Sequence, residues 1–274
     1  MKPHPEYDNL LQFGLLEQEY RIEHFVTTRM GGVSGGAFSS FNMGNFSDDS
    51  SLHITENRAI LARMMYRAAD DFIIPHQTHG TKVAMIDAPF LRMDRNAQAE
   101  ALYGVDATIT AERGIFLSVT TADCVPILLF DRKKSVIAAI HAGWRGSVGR
   151  IVEKTVTLMC RQYALSPADI IAGIGPAISP QHYEVGAEVV AQFADNGFDS
   201  PDPTLFIRNV SDAPCHLDLK EINRRELLRL GVPDRQIETT DLCTFEREDL
   251  FFSARRQTVH SGRMLSAILL KENL

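Results

Sequence analysis

The sequence predicts an α/β (mixed α+β) fold, built as a single domain over residues 1–274. Its length, with 45% hydrophobic and 23% charged residues, is typical of a soluble globular chain. Two apolar runs, 125–130 and 136–140, are joined by a short polar segment, which is the pattern of a buried hairpin. Apolar residues recur at helical spacing between 148 and 159. Strand and helix periodicities therefore occur in one chain.

Charge and composition exclude several classes of protein. The formal net charge of −7 argues against non-specific binding of nucleic acid, which needs a basic face, although a small anion needs only a few local arginines. No stretch approaches about 18 apolar residues and the N-terminus has no apolar signal core, so we expect neither export nor membrane spanning. The four cysteines are widely separated, and reduced thiols fit a cytoplasmic protein.

The first elements are a strand, a loop and a helix. Residues 21–28 predict a strand, and a glycine-rich loop follows through residue 36. Glycines let backbone amides approach a ligand, so the loop around Arg29 could hold an anion. A tight turn with a solvated arginine is the alternative for this loop. Residues 54–66 carry apolar side chains at helical spacing.

A histidine-containing loop lies between two short predicted strands, residues 72–74 and 82–86. Its sequence, Pro75-His-Gln-Thr-His-Gly80, has two histidines three residues apart before a glycine. His79 is therefore a candidate metal ligand, although spacing alone is a weak signal. Residues 105–110 then alternate like a half-buried strand.

The hairpin that follows contains a cysteine and a histidine at its open end. Its loop is predicted to be Asp131-Arg-Lys-Lys134, which has a suitable length and composition. Phe130 then pairs with Ser135, and counting back along both strands places Cys124 opposite His141. Opposed residues have β-carbons about 4.5–5.5 Å apart, so both side chains can bind one metal ion.

Three interpretations of this pair stay open on the residues alone. Cys124 is a buried free cysteine beside a hydrogen-bonded histidine, or it is a nucleophile with His141 as its base, or both bind a metal with His79 as third ligand. Asp106 and Asp123 are candidates to orient a ligand histidine or to handle a proton. Each of these aspartates can equally be a structural cap.

A helix is predicted to start beside the proposed ligand His141. Ser147 is a reasonable N-cap, and the apolar positions up to Met159 form one stripe. A helix N-terminus favours an anion, and Arg145 stands in the same turn, so phosphate bound beside the metal is a reasonable hypothesis. A structural role for Arg145 and the single tryptophan, Trp144, is the alternative.

The last third of the chain continues the alternation of strands and helices. Strands are predicted over residues 170–174, 237–243 and 264–270, and helices over 187–194 and 218–230. Residues 198–214, rich in Pro, Asp and Asn, predict an exposed connector. The final strand is expected to lie inside a sheet.

Nine segments form an ordered set of motifs along the chain. They are Thr27-Thr-Arg-Met-Gly-Gly-Val-Ser-Gly-Gly36, Phe41-Asn-Met-Gly44, His76-Gln-Thr-His-Gly80, Thr121-Ala-Asp-Cys-Val-Pro126, His141-Ala-Gly-Trp-Arg-Gly146, Gly175-Pro-Ala-Ile-Ser179, Glu184-Val-Gly186, Cys243-Thr244 and Phe251-Phe-Ser-Ala-Arg-Arg256. In this order they resemble the successive motifs of the YfiH/laccase-domain family. The resemblance implies a layered sandwich with internal mixed β-sheets and helices outside.

The resemblance also implies a site and an activity. The metal ligands of that family correspond to His79, Cys124 and His141, which implies Zn²⁺ ahead of Cu²⁺. The implied activity is zinc-dependent phosphorolysis of adenosine, inosine and guanosine, with methylthioadenosine as a further candidate, together with deamination of adenosine. Asp123 joins the ligands as a catalytic candidate. The candidates for binding substrate or phosphate are Arg29, Asn42, Gln77, Arg145 and Arg255. We expect purine nucleoside and phosphate as partners of a monomer or weak homodimer.

Other classes of function stay open. One is a cysteine hydrolase, with Cys124 as nucleophile and His141 as base, acting on an amide of a cell-wall precursor, an activity also linked to some bacterial relatives. Another is a copper-dependent polyphenol oxidase, the family's historical description, although the paired histidine motifs of such enzymes are missing among only nine histidines. A non-enzymatic binding module would leave the Cys/His set unexplained.

Overall fold

Strands and helices alternate along the chain, as their periodicities predict. The computed structural model describes residues 1–44, 48–198, 206–208, 215–258 and 260–272. In these residues the strands are β1 (Lys2–Pro3), β2 (Leu10–Gln12), β3 (Ile22–Thr27), β4 (Phe72–Ile73), β5 (Lys82–Met85), β6 (Val105–Thr110), β7 (Phe116–Thr121), β8 (Val125–Asp131), β9 (Val136–Ala142), β10 (Ile170–Ile174), β11 (Glu184–Val185), β12 (Phe206–Arg208), β13 (Cys215–Leu217), β14 (Ile237–Thr239) and β15 (Met264–Leu270). The helices are α1 (Gly14–Glu17), α2 (Ser51–Met64), α3 (Ala88–Leu91), α4 (Arg95–Ala101), α5 (Trp144–Val148), α6 (Ile151–Tyr163), α7 (Ala187–Asp195), α8 (Leu219–Arg229) and α9 (Ala254–Gln257).

Most of these strands belong to two six-stranded sheets. The first sheet has the order β1-β2-β3-β15-β7-β4, and the second has the order β14-β10-β8-β9-β6-β5. Both are mixed, because β4 is parallel to β7 in the first sheet and β5 is parallel to β6 in the second. A small third sheet has the order β11-β13-β12. The final strand, β15, lies between β3 and β7, which confirms that it is inside a sheet.

The two large sheets face each other across a shared core. Ile22, Leu117 and Ile268 of the first sheet pack with Phe130 and Ile171 of the second. The outer face of the first sheet packs against α2, and the outer face of the second packs against α6 and α8. The layers therefore run helix, sheet, sheet, helix. This arrangement confirms the predicted layered sandwich with mixed sheets inside and helices outside.

The position of the second sheet explains its apolar runs. It is covered on both faces, so successive side chains of a strand are buried on opposite sides. Along β8, Ile127 and Leu129 face the helices, whereas Leu128 and Phe130 face the other sheet. Each fully buried side chain of this size contributes about 1.5–3 kcal/mol to folding. The uninterrupted hydrophobic sequence is thus a direct consequence of two-sided burial.

Strands β8 and β9 form the predicted hairpin, but in a different register. Asp131 pairs with Val136, and Pro126 pairs with His141. The loop is therefore one residue later than predicted. The predicted opposition of Cys124 and His141 was wrong, because in this register Cys124 lies before the start of β8.

The side chain of Asp131 explains the later loop. Its carboxylate accepts hydrogen bonds from the backbone amides of Lys133 and Lys134, at 3.1 and 2.5 Å. The backbone amide of Ser135 donates to the carbonyl of Asp131 at 3.1 Å, and Ser135 has a positive φ of 53°. Asp131 thus ends the strand and begins the turn, as aspartates often do.

The helix predicted after His141 is two helices in the structure. α5 begins directly after Gly143, and Arg150, with a φ of 59°, separates it from α6. Ser147 lies inside α5 and is not the N-cap, so that prediction was wrong. Its hydroxyl accepts a hydrogen bond from the side chain of Asn223 at 2.9 Å, which joins α5 to α8. The predicted apolar stripe is right for α6, which packs on the second sheet.

The remaining predictions are mostly confirmed. β6, β10 and β15 have the predicted bounds, and α7 and α8 agree to within one residue. The strand predicted over 237–243 ends at Thr239. Beyond it, the buried ammonium of Lys220 donates to the carbonyls of Thr240 and Leu242, at 2.8 and 3.4 Å. These carbonyls are therefore engaged by a side chain rather than by a neighbouring strand.

The last two predictions are an exposed connector over residues 198–214 and a chain that does not span a membrane. In the predicted connector 198–214, residues 206–208 form strand β12. Residues 199–205 and 209–214 lie outside the described residues, so the predicted exposure of that stretch stays a prediction. Among the described residues, every helix is too short or too polar to cross a lipid bilayer.

Candidate metal centre and its cavity

The three predicted metal ligands meet at one end of the facing sheets. His79 lies in the segment that links β4 of the first sheet to β5 of the second. Cys124 lies in the segment that links β7 of the first sheet to β8 of the second, and His141 is near the end of β9. The two segments that connect one sheet to the other thus meet at the end of β9. This brings the three ligands together although they are far apart in sequence.

Their donor atoms form a compact set. The sulfur of Cys124 and one nitrogen from each histidine lie within 4.8 Å of one another. The two imidazole rings have centroids 4.9 Å apart and are inclined at 76°. Glycine at position 143 leaves room for this close approach, because a Cβ there would lie 3.0 Å from the Cys124 sulfur and 3.2 Å from Cδ2 of His79, which is tighter than an ordinary contact.

Asp106 holds two of the three ligands in position. Its Oδ1 lies 2.7 Å from Nδ1 of His141 and accepts a hydrogen bond from the backbone amide of His79 at 3.0 Å. Its Oδ2 accepts from the backbone amides of Thr78 and Gly80, at 3.3 and 2.7 Å. These bonds stabilise a turn in which His79 has a φ of 61°. An ionised carboxylate only accepts, so Nδ1 of His141 carries the proton and Nε2 is left for a metal.

Neighbouring charges shift the ionisation of Asp106, Cys124 and His141. Burial raises the pKa of Asp106, but the hydrogen bonds with His141 and with the adjacent backbone amides lower it by a larger amount. The pKa is therefore below its ordinary value, and Asp106 is a carboxylate. Burial also raises the pKa of the Cys124 thiol, and the neighbouring His141 and His79 lower it to about 6. Burial lowers the pKa of His141, whereas the Cys124 thiolate and Asp106 raise it to about 9. The thiolate, which is the form that binds metals, is therefore favoured at neutral pH, whereas His141 is an imidazolium that would release its Nε2 proton when a metal binds.

A cavity of about 610 Å³ opens over the donor atoms, which is within the range of small-molecule sites. Besides the three ligands it is lined by Gly44, Gln77, residues 120–123, Trp144, Arg145, Tyr183, Ala254, Arg255 and Arg263. Three arginines therefore face a space that also contains the Cys/His set. We call this space the catalytic-site cavity.

Asp123 anchors the segment that carries Arg255. Its Oδ1 accepts a hydrogen bond from the hydroxyl of Thr244 at 2.6 Å. Its Oδ2 accepts from the hydroxyl of Ser253 at 3.1 Å and from the backbone amide of Arg255 at 2.6 Å. The residue has a φ of 91°, which these bonds help to maintain next to Cys124. Its contacts are those of a positioning residue, and a direct role in proton transfer stays a prediction.

Arg145 and Arg255 both line the cavity, as predicted phosphate-binding residues should. The guanidinium of Arg145 stacks over Trp144, 4.3 Å from the ring centroid. The guanidinium of Arg255 donates to the carbonyl of Glu184 at 2.9 Å and lies 5.4 Å from the ring centroid of Tyr183. Helix α5 has only five residues, so its N-terminus is a weaker anion site than the long helix predicted. The case for phosphate binding therefore depends on the arginines.

Gln77 lines the cavity with both ends of its amide already bonded. Its Nε2 donates to the carbonyl of Thr120 at 2.8 Å, and its Oε1 accepts from the backbone amide of Thr120 at 2.8 Å. The side chain thus ties the His79 segment to the end of β7. Substrate binding by Gln77 stays a prediction.

Arg29 and Asn42 lie outside the cavity wall. Arg29 donates to two backbone carbonyls, at 2.9 and 3.0 Å, and stacks on the ring of Phe252. Asn42 is fully buried, and its Oδ1 accepts from the backbone amides of Gly44 and Arg263, at 3.0 and 2.9 Å. Asn42 therefore positions two residues that do line the cavity. The structure does not bring either predicted residue together with the Cys/His set.

Tyr183 and Arg263 line the cavity but were not singled out from the sequence. Tyr183 immediately precedes the Glu184-Val-Gly186 motif, and Arg263 immediately precedes β15, so adjacency to a recognised segment was an available signal. Burial raises the pKa of Tyr183, which keeps its phenol protonated at neutral pH. The guanidinium of Arg263 donates to the carbonyl and hydroxyl of Ser261, at 2.6 and 2.8 Å.

The donor set fits a catalytic metal ion. One thiolate and two imidazoles, with a cavity over them, match a zinc site that has three protein ligands and an open position. A thiolate also suits Cu(I), so the residues by themselves allow either metal. Among the described residues, this is the one cluster of three or more metal-binding side chains whose donor atoms come together.

Comparisons with known proteins match the chain over nearly its whole length. A family model described as multi-copper polyphenol oxidoreductase laccase matches residues 23–271. The purine nucleoside phosphorylase of Bacteroides thetaiotaomicron is 43% identical over 261 residues, which cover 95% of this chain and 96% of that protein. A protein named adenosine deaminase RL5, from an unknown prokaryotic organism, is 41% identical over 251 residues, or 91% and 94% of the two chains.

A solved structure supports the same relationship. The crystal structure of the hypothetical protein YfiH from Bacillus licheniformis matches with a TM-score of 0.88 and 32% identity, covering 98% of each chain. The resemblance that the sequence motifs indicate is therefore confirmed, and so is the fold that it implies.

Proposed function

The chain belongs to the multi-copper polyphenol oxidoreductase laccase family, and from this premise we propose that it is a purine nucleoside phosphorylase that also deaminates adenosine. One observation carries the proposal. The His79, Cys124 and His141 donors lie in the wall of a cavity that three arginines also line. Relatives that are 43% and 41% identical bear the names of these two activities.

We propose that zinc is the metal. Three protein ligands with an open fourth position are typical of catalytic zinc, whereas an oxidase with several copper ions needs further histidine clusters. The described residues provide one such cluster. When bound there, zinc would supply Lewis-acid chemistry at the edge of the cavity. Asp106 orients His141 toward that position.

The charge of the cavity supports an anionic second substrate. Arg145, Arg255 and Arg263 line it, and with a divalent ion they carry more positive charge than Cys124 and the nearby carboxylates neutralise. A phosphate dianion would balance the difference. In phosphorolysis a phosphate oxygen bonds to the anomeric carbon while the bond to the purine nitrogen breaks, which yields free base and ribose 1-phosphate. Fixed cations that hold phosphate in line with that bond would lower the barrier.

The same cavity offers surfaces for the purine. Trp144 and Tyr183 provide aromatic faces, and the protonated phenol of Tyr183 is a hydrogen-bond donor. In one orientation of the nucleoside, the bond between base and sugar would lie near the arginines. In a second orientation, the exocyclic amino group of the base would lie near the Cys/His set. Two orientations of one nucleoside would allow both phosphorolysis and deamination.

Phosphate dependence tests the proposal directly. We expect inosine to release hypoxanthine only when phosphate is present, with ribose 1-phosphate formed in equal amount. Adenosine should be converted to inosine in phosphate-free buffer, because deamination consumes water and not phosphate. Chromatography of both reactions with and without phosphate measures these products. Release of hypoxanthine at the same rate without phosphate would contradict phosphorolysis.

A cysteine hydrolase is the second candidate, and a specific geometry favours it. Asp106, His141 and Cys124 form a chain like that of hydrolases that use a thiolate nucleophile, with the carboxylate on Nδ1 of the histidine. The lowered pKa of Cys124 also suits a nucleophile. In that enzyme His79 would have no catalytic part.

Removal of the metal separates the two candidates. We expect dialysis against a chelator to abolish phosphorolysis and deamination, and added zinc to restore both, because the ligands are placed for an ion with an open position. Inductively coupled plasma mass spectrometry should find about one zinc ion per active chain. A metal-free protein that keeps full activity, yet is inactivated by thiol alkylation, would instead be a cysteine hydrolase.

A further inference from the structure

A second cavity, of about 720 Å³, lies next to the catalytic-site cavity. It is bounded by residues 69–76, by helix α4 and by the side chain of Arg58 on α2. Thr120 lines both cavities. We call this second space the Arg58 cavity. None of the substrate or metal predictions made from the sequence includes Arg58.

Arg58 brings a positive charge to this cavity, and no carboxylate of the described residues forms an ion pair with it. Its Nη2 donates to the carbonyl of Met43 at 2.8 Å, which is its one hydrogen bond to the part of the chain that the structure describes. Its Nε is buried and has no acceptor. A guanidinium that is largely removed from water and paired only with a neutral carbonyl is costly, and an anion bound beside it would offset that cost. Burial also lowers the pKa of Arg58, to about 10, which is a sign of the same missing partner.

The other charged groups of the cavity are already engaged. Arg95 pairs with Asp70 across the opening. Asp71 accepts a hydrogen bond from the backbone amide of Ala68 at 2.9 Å and closes the turn that it belongs to. The lining thus holds two arginines and two carboxylates, so its formal charges balance. A ligand with one phosphate group is repelled less by Asp70 and Asp71 than a chain of phosphates would be.

An aromatic surface lies in the same wall. The rings of His76 and Tyr103 are in contact, with centroids 4.5 Å apart and inclined at 41°. Tyr103 is 61% exposed, so its ring is accessible to a ligand. An exposed aromatic face in the wall of a cavity that a buried arginine also lines suits a ligand that combines a planar ring with an anionic group.

We propose that the Arg58 cavity binds a nucleoside monophosphate, with its phosphate on Arg58 and its base against Tyr103 and His76. Asp70 and Asp71 provide acceptors for the sugar hydroxyls, which explains carboxylates in a wall that binds an anion. The volume is within the range of sites for ligands of this size. The ligand would contact the segment that also carries His79, three residues beyond His76.

Calorimetry with adenosine 5′-monophosphate tests this site. The titration uses the full-length, metal-containing protein in phosphate-free buffer with saturating inosine, so that the catalytic-site cavity is occupied. We expect Arg58→Met to weaken binding by about tenfold or more, because a charge-assisted hydrogen bond is lost. Tyr103→Ala should weaken it as well, and its exposed side chain makes that variant safe for folding. The matched control is Arg63→Met, since Arg63 lies on the same helix, is 65% exposed and pairs with Glu56.

The possible outcomes separate the proposal from its alternatives. Equal affinity of the wild type, Arg58→Met and Tyr103→Ala for the monophosphate would overturn it, as would the absence of binding to the wild type. Displacement of the nucleotide by an equal concentration of sulfate, an anion that cannot support phosphorolysis of the inosine, would reduce the site to a simple anion site and overturn the nucleoside part. Tighter binding of the triphosphate would contradict the single-anion argument. Arg58 does not line the catalytic-site cavity, so these results are independent of the proposed phosphorylase activity.

Discussion

Replacement of Cys124 by alanine is expected to remove the bound metal and to lower turnover of inosine and adenosine by about 10³-fold or more. A metal at a reacting centre supplies several kcal/mol of stabilisation to the transition state, and each 1.36 kcal/mol is worth a factor of ten in rate. The thiolate is the one anionic ligand of the three, so its loss leaves only the imidazoles of His79 and His141. Two neutral ligands bind a divalent ion much more weakly.

Metal content and rate should be measured together on the same preparation of Cys124→Ala. Cys160→Ala is the matched control, because Cys160 is a free thiol on α6 that packs against the core away from the cavity. The control should keep both its zinc and its activity. A Cys124→Ala protein that retains its metal and its rate would remove this residue from the site. Loss of activity with full retention of metal would instead favour a nucleophilic cysteine.

Replacement of Asp106 by asparagine is expected to have the second largest effect. The carboxylate is fully buried and accepts four hydrogen bonds, two at each oxygen. An amide has one acceptor atom, so in either orientation its NH₂ group faces two donors. Those donors are Nδ1 of His141 and the amide of His79, or the amides of Thr78 and Gly80. We expect metal affinity to fall by about 10–100-fold and the free energy of unfolding to fall by about 2–4 kcal/mol.

Titration with a chromophoric zinc chelator and urea unfolding measure the two effects of Asp106→Asn. Asp87→Asn is the matched control, because Asp87 caps helix α3 through a single hydrogen bond to the amide of Phe90 at 3.0 Å. Asparagine caps helices nearly as well as aspartate, so this variant should change neither property appreciably. Equal zinc affinity in wild type and Asp106→Asn would show that the carboxylate does not support the ligands.

Local patterns were sufficient for most elements of the fold. The apolar runs of β8 and β9 follow from burial on both faces of the second sheet, and any sheet covered on two sides produces such runs. The apolar stripe of α6 faces that sheet at helical spacing. The exact ends of helices and strands depended on single polar contacts, which the hydrophobic pattern of the sequence does not contain. The hydrogen bonds of the Asp131 carboxylate place the hairpin loop one residue later than predicted. The left-handed conformation of Arg150 separates α5 from α6, where one helix was predicted.

The structure likewise brings together some of the residues predicted for the site and not others. His79, Cys124 and His141 were identified from motifs, and they meet in space although the hairpin register that first suggested two of them was wrong. Arg29 and Asn42 belong to equally recognisable motifs and lie outside the cavity. A motif marks residues that matter to the fold or to the site, but it does not distinguish the residues that touch a ligand from those that support them.

The sequence by itself determined the class of fold, the three candidate ligands and the net negative charge, because composition, periodicity and motif order are properties of the linear chain. Only the tertiary structure decided which charged groups face each other. Asp106 supports His141, Arg263 lines the cavity, and Arg58 pairs with no carboxylate of the described residues, because each of these contacts depends on how the sheets and helices pack together. The distances between these charged groups are set by packing between residues far apart in sequence. A local sequence pattern therefore does not predict them.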